Sequence, residues 1–113
     1  TDLDLPASGD SSAEVAARVE QARSIQQARF AAQPHMRCNA DAQGDILEQM
    51  AIPDAEGRDL LLRAAERFGL SARGYHRVLR VARTIADLDG SREVRKPHVA
   101  EAVSFRLPSL VVA

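Results

Sequence analysis

Residues 69–90 read GLSARGYHRVLRVARTIADLDG, and the helix they encode decides the fold. Ser71 is a favoured N-cap residue. Tyr75, Val78, Leu79, Ala82, Ile85, Ala86 and Leu88 then recur every three or four residues, the period of one buried helical face. Asp89-Gly90 stops the run. Gly69 is suited to the left-handed residue that closes a preceding helix, with Leu70 sealing its end. The stretch thus predicts two helices meeting across a glycine turn, the second long and strongly amphipathic.

The flanking sequence extends the same pattern. Upstream, Asp54 can cap a helix running to Phe68 that buries Leu60, Leu61, Ala64 and Phe68. Asp54, Glu56 and Asp59 come early in it and Arg63 and Arg67 late, as the helix dipole favours. A short helix over Gly44–Ala51 carries Ile46, Leu47 and Met50, and Pro53 ends it. Residues 33–43 form a loop opened by Pro34. The first helix spans about 12 to 31, with Ser11 and Glu14 at capping-box spacing and Val15, Val19, Ala22 and Ile25 as its apolar stripe. Downstream, the connector SREVRK leads to Pro97 in the first turn of a last helix. Val99, Ala102 and Val103 face inward there, as do Phe105–Arg106 at the margin, and Pro108 ends it. The expectation is an all-α bundle of four to five helices over 11–107, with 1–10 a linker and 108–113 (PSLVVA) a tail.

Composition supports this reading and excludes others. A chain of 113 residues makes one domain, and 45% apolar with 27% charged residues is ordinary for a folded protein. One Tyr, three Phe and no Trp leave a core of Leu, Val, Ile and Ala. A net charge of −1 excludes a globally basic nucleic-acid binder, so any anion site must be local. Fourteen Arg stand against one Lys, Lys96, a skew that a GC-rich genome would also produce. The lone Cys38 forms no intrachain disulfide and fits a reducing compartment. No apolar run approaches 18 residues and no signal peptide is present, which points to a cytoplasmic protein without a membrane partner. The chain begins at Thr1 rather than Met, as expected of a piece of a longer polypeptide.

The chemistry concentrates at the start of the 72–88 helix. Arg73, Arg77 and Arg80 fall on one face at i, i+4 and i+7, and no acid occurs between Glu66 and Asp87 to neutralise them. A helix N-terminus is already the positive end of the dipole, so a cation there is unfavourable by about 0.3–1 kcal/mol. A solvated face is the bland reading; the broken rule favours an anion site. Guanidinium forks match phosphate oxygens, and free N–H groups at the helix start reinforce that preference. Both DNA and nucleotide phosphates fit. AERFGLSARGYHRV has the look of a helix-turn-helix, with Ala65, Gly69 and Val78 inside and Arg73, His76 and Arg77 reaching DNA. The apolar period running to Leu88 is too long for a compact recognition helix, and Tyr75 is bulky for an inner position.

GLSARGYHRVLRVARTIADLDG resembles the C-terminal region of the magnesium-chelatase-like AAA+ ATPases, in the ComM/YifB group. SSAEVAARVEQARSIQQARF, the NADAQ loop and HVAEAVSFR are similar to that family as well, over residues 11–106. The resemblance implies the helical lid of an AAA+ module, with Arg73 at the family's sensor-2 arginine on the γ-phosphate of ATP and Arg77 and Arg80 supporting it or meeting a neighbour in the assembly. It also implies a parent with an N-terminal ATPase core, ATP and Mg²⁺, a hexameric assembly, and action on DNA in branch migration and natural transformation. The alternative is a stand-alone helix-turn-helix-like DNA-binding module.

This chain has no Gly-x-x-x-x-Gly-Lys-[Ser/Thr], and Lys96 stands between Arg and Pro, so catalytic residues are expected elsewhere in the parent. Gly74 has two readings: close approach of a nucleotide or backbone, or a tolerated position without a role. His35 and Cys38 have metal-compatible spacing but no second pair, so no metal site is expected. His76 is expected to point to solvent, and His98 to cap or pack.

Overall fold

The computed structural model describes residues 11–33 and 35–106. The expected linker 1–10, Pro34, Pro108 and the tail 108–113 lie outside the described residues. Within them the fold is all-α: α1 (Ser12–Arg29), α2 (Gly44–Met50), α3 (Ala55–Phe68), α4 (Ala72–Leu88) and α5 (Lys96–Arg106), with a 3₁₀ turn at Asn39–Asp41. One parallel bridge joins Pro53 to Val94, where the Asp54 N–H donates to the Val94 carbonyl at 2.8 Å.

The helix ends form where the sequence places them. Ser11 and Glu14 make the reciprocal capping box of α1. Asp54 accepts from the Gly57 N–H at 2.7 Å, and Ser71 from the Gly74 N–H at 3.1 Å. Gly69, at φ 62°, turns the chain out of α3 while the Leu70 N–H donates to the Ala65 carbonyl. Gly90, at φ 71°, does the same after α4, and the Ser91 N–H closes on the Ala86 carbonyl at 2.8 Å. His98 both caps and packs. It is buried, and its Nδ1 accepts from the Arg95 N–H at 2.9 Å, satisfying a donor at the start of α5.

α4 is the centre of the fold. It packs on α5, α1 and α2, while α3 packs chiefly on α5 rather than on α4. Val78, Leu79, Ala82 and Ala86 of α4 meet Leu47 and Ala51, Leu61, Val94, Val99 and Ala102 in one core. Gly57 lets α3 approach α5: a methyl there would lie 3.2 Å from Val99 Cγ2 and 2.8 Å from the capping Asp54 Oδ1.

Three expectations about burial need correction. Val15 and Val19 are 42% and 41% exposed, because among the described residues α4 is the main helix packed against α1 and covers only one side. Ala22, Gln26 and Phe30 are buried instead. Phe105 is 67% exposed, beyond the last turn of α5 that the core covers.

Candidate anion-binding site and its buried support

Arg73 stands in the first turn of α4 and is exposed, as is Arg77 one turn on. Neither has a hydrogen-bond or ion-pair partner among the described residues. Ser71 takes the Gly74 N–H, so the α4 start is capped on one side, and no acid lies in its first turn. The positive helix end and the Arg73 guanidinium therefore face solvent together, uncompensated.

Arg80 is placed differently. It is half-buried, and its Nε donates to the Ala42 carbonyl at 2.8 Å, which pins the guanidinium against the loop before α2. His76 does not point freely to solvent: its Nε2 lies 2.9 Å from Glu48 Oε2, tying α4 to α2. The reason is tertiary, since α2 packs along α4 and brings a carboxylate 28 residues away beside the ring. Gly74 is buried, yet a methyl there would make only ordinary contacts at 3.6–3.7 Å with Ser71 and Leu70, so the fold of this chain does not itself require glycine.

The feature that sequence reasoning missed lies at the other end of α4. Asp87 is fully buried and accepts four hydrogen bonds. Arg29 donates to both of its oxygens at 2.8 Å, Asn39 Nδ2 to Oδ2 at 2.9 Å, and Arg83 Nε to Oδ1 at 3.1 Å. Arg83 also donates to the carbonyls of Ser91 at 2.8 Å, Arg92 at 3.1 Å and, more weakly, Met50 at 3.4 Å. Gln26 Oε1 accepts from the Asn39 N–H at 2.9 Å. One carboxylate thus joins α1, the 3₁₀ turn, α4 and, through Arg83, the end of α2 and the α4–α5 connector. Burial pushes the Asp87 carboxyl up, but hydrogen bonds from Arg29 and Asn39 and the charges of Arg83 and Arg29 outweigh it and hold it below its ordinary value. Burial lowers Arg83, opposed by the Asp87 charge. A signal existed in the sequence: Arg83 and Asp87, four apart, fall at the edge of the apolar face that carries Leu79 and Ala86.

Cys38 lies in the 36–41 loop with its Sγ 3.8 Å from Asp41 Oδ2, and no group of three or more His, Cys, Asp or Glu able to hold a metal occurs among the described residues. No described helix is long and apolar enough to cross a membrane.

Residues 9–106 match the family described as the C-terminal region of ChlI, a magnesium chelatase component. The chain is 37% identical over 98 residues to competence protein ComM of Haemophilus influenzae, covering 87% of this chain and 18% of that protein. It is 39% identical over 101 residues to an uncharacterized protein of Mycobacterium tuberculosis, covering 88% and 20%, and 38% identical over 98 residues to the uncharacterized protein YifB of Escherichia coli, covering 87% and 18%. The chain thus spans only about a fifth of the length of these curated relatives. No solved structure matches it. With an all-α fold and a family match that runs from the α1 cap to the end of α5, this chain belongs to the magnesium chelatase ChlI C-terminal family.

Proposed function

We propose that this domain is the nucleotide-sensing lid of a ComM-like AAA+ ATPase and that Arg73 is its phosphate sensor. The observation that carries the reading is the exposed, unpartnered Arg73 in the first turn of α4, at the positive helix end with no acid beside it, whereas Arg83 further along the same helix is saturated by Asp87 and backbone carbonyls. A guanidinium held on a rigid helix start can meet phosphate when the lid closes on an ATPase core, and can withdraw when it opens. Bound to phosphate, it offsets negative charge on the transferring group, while the dipole at the α4 start adds to the same field. ATP supplies the phosphoryl group, and the ligands of Mg²⁺ and the phosphate-cradling loop belong to the core. The domain alone is not catalytic. In this reading the parent is a cytoplasmic hexamer that acts on DNA; the Haemophilus relative is named a competence protein.

The helix-turn-helix alternative is less well supported. Its two helices should pack on each other, whereas α3 and α4 pack mainly on α5. Glu48 also stands beside His76, placing a carboxylate where a DNA backbone would pass.

The test is Arg73→Ala in the full-length parent. The variant is expected to fold and assemble while losing roughly 10²–10³-fold in ATP turnover, the usual consequence of deleting one preorganised charge-stabilising donor. Normal turnover would remove Arg73 from the sensing role.

A further inference from the structure

Arg29 is the last residue of α1, and its guanidinium reaches only toward α4 and the turn fastened to α4. It donates to both oxygens of Asp87 and to Asn39 Oδ1, each at 2.8 Å. Asn39 is itself held to α4, through Thr84 Oγ1 at 3.0 Å and Asp87 Oδ2 at 2.9 Å. A paired guanidinium–carboxylate contact fixes orientation as well as distance, because two parallel N–H···O bonds must be kept together. Asp87 does not depend on Arg29 for its partners, since Arg83 and Asn39 also donate to it. What Arg29 adds is the attachment of α1.

The rest of α1 leaves its direction to that end. Residues 12–21 are all exposed, and the buried Ala22, Gln26 and Phe30 lie toward Arg29. Val15 and Val19 share a hollow with Ile85, Leu88 and Phe105 rather than joining the core. Ser12 lies ~25 Å along the helix from Arg29, so a tilt of roughly 5° about the Arg29 end displaces it by ~2 Å. Arg73 lies ~21 Å along α4 from Asp87. The Arg29–Asp87 pair is therefore the joint between two long arms, one carrying the start of α1 and the other carrying Arg73.

The family match is to a C-terminal region, and the chain spans about a fifth of its relatives, so in the lid reading the ATPase core precedes α1. We propose that Arg29 is a positioning residue for Arg73. Its two-bond hold on Asp87 fixes the angle between α1 and α4, and with it the point at which the Arg73 guanidinium meets phosphate on the core. Arg29 touches no nucleotide; it acts through Asp87 and the rigid length of α4. A misplacement of about 1 Å can cost ~10²-fold in rate, so a slack joint is enough to disable an intact sensor. The proposal rests on the lid reading, and the two are tested apart.

Nitroxide labels on Ala13→Cys in α1 and Ala72→Cys at the start of α4, with Cys38→Ser, report the angle in this chain by double electron–electron resonance. With Arg29 intact one narrow distance distribution is expected. Arg29→Met should broaden or shift it by ~2 Å or more in samples prepared well below the unfolding midpoint. Arg29→Lys keeps the charge without the fork, so it should fold nearly as well as the wild type and still broaden the distribution. An Arg29 that only stabilised the fold would change the unfolding midpoint and leave the distance within folded molecules as it was. An unchanged distribution in Arg29→Met, or in Arg29→Lys should the first variant fail to fold, overturns the proposal.

In the full-length parent, Arg29→Met is expected to slow ATP turnover by roughly 10–10²-fold, and to slow it no further when Arg73→Ala is already present. Equal slowing in both backgrounds, or full turnover in Arg29→Met beside a slow Arg73→Ala, overturns the positioning role and leaves the sensor reading standing. Normal turnover in Arg73→Ala overturns the sensor reading and this proposal with it.

Discussion

Asp87→Asn is the sharpest test of what holds the domain together. The replacement keeps the size of the side chain but removes the charge and turns one acceptor into a donor. Oδ1 receives Arg29 and Arg83, and Oδ2 receives Arg29 and Asn39, so either orientation of the amide sets an N–H₂ against two donors. It also leaves Arg83, with a side chain only 5% exposed, and Arg29, at 18%, adjacent without a counter-charge. Breaking a buried ion pair by removing one partner costs about 3–5 kcal/mol. Against a domain stability of about 5–15 kcal/mol that is a large share, and it corresponds to a fall in Tm of roughly 15–30 °C. The assay is urea unfolding followed by far-ultraviolet circular dichroism, with a thermal melt beside it. Arg29→Met should cost less, because Arg83 and Asn39 still satisfy the buried carboxylate. A loss below about 1 kcal/mol in Asp87→Asn, or a larger loss in Arg29→Met, would refute the claim that Asp87 is the centre of the network.

The remaining expectations follow from the same geometry. The folded-state Asp87 carboxyl lies below its ordinary 3.8, so its contribution to stability is complete above that value, declines as pH falls through it, and is gone below the depressed folded-state pKa. Urea midpoints measured from about pH 6 down to pH 2 should show that loss in the wild type and a flatter profile in Asp87→Asn. Gly57→Ala should destabilise by about 1–3 kcal/mol through its clash with the Asp54 cap and Val99; an unchanged urea midpoint would mean that α3 is free to move away from α5. Gly74→Ala should instead stabilise the isolated domain by about 0.4–1 kcal/mol, since the added methyl has room. If that variant also lowers ATP turnover in the parent, glycine is kept there for the approach of a ligand rather than for folding.

The helix boundaries were legible from the sequence alone. Ser11 with Glu14, Asp54, Gly69, Ser71 and Asp89-Gly90 act through hydrogen bonds to residues three to five positions away, and local spacing is what a sequence displays. The face of α4 that forms the core was equally readable, because Val78, Leu79, Ala82 and Ala86 repeat at the helical period. Arg73 stood out for a local reason too: it breaks the dipole rule with no acid nearby.

What only the tertiary structure decided is where each remaining charge finds its partner. Arg29 and Asp87 are 58 residues apart, and nothing in their immediate neighbours marks them as a pair. Arg77 and Arg80 look alike on a helical wheel, yet the loop before α2 claims Arg80 and leaves Arg77 open. Val15 and Val19 keep helical period without burial, since periodicity marks a face and says nothing of how many neighbours cover it. Local hydrogen bonding and hydrophobic period determine the helices; the packing of α1 and α2 on α4 determines which charges become structure and which remain free to bind.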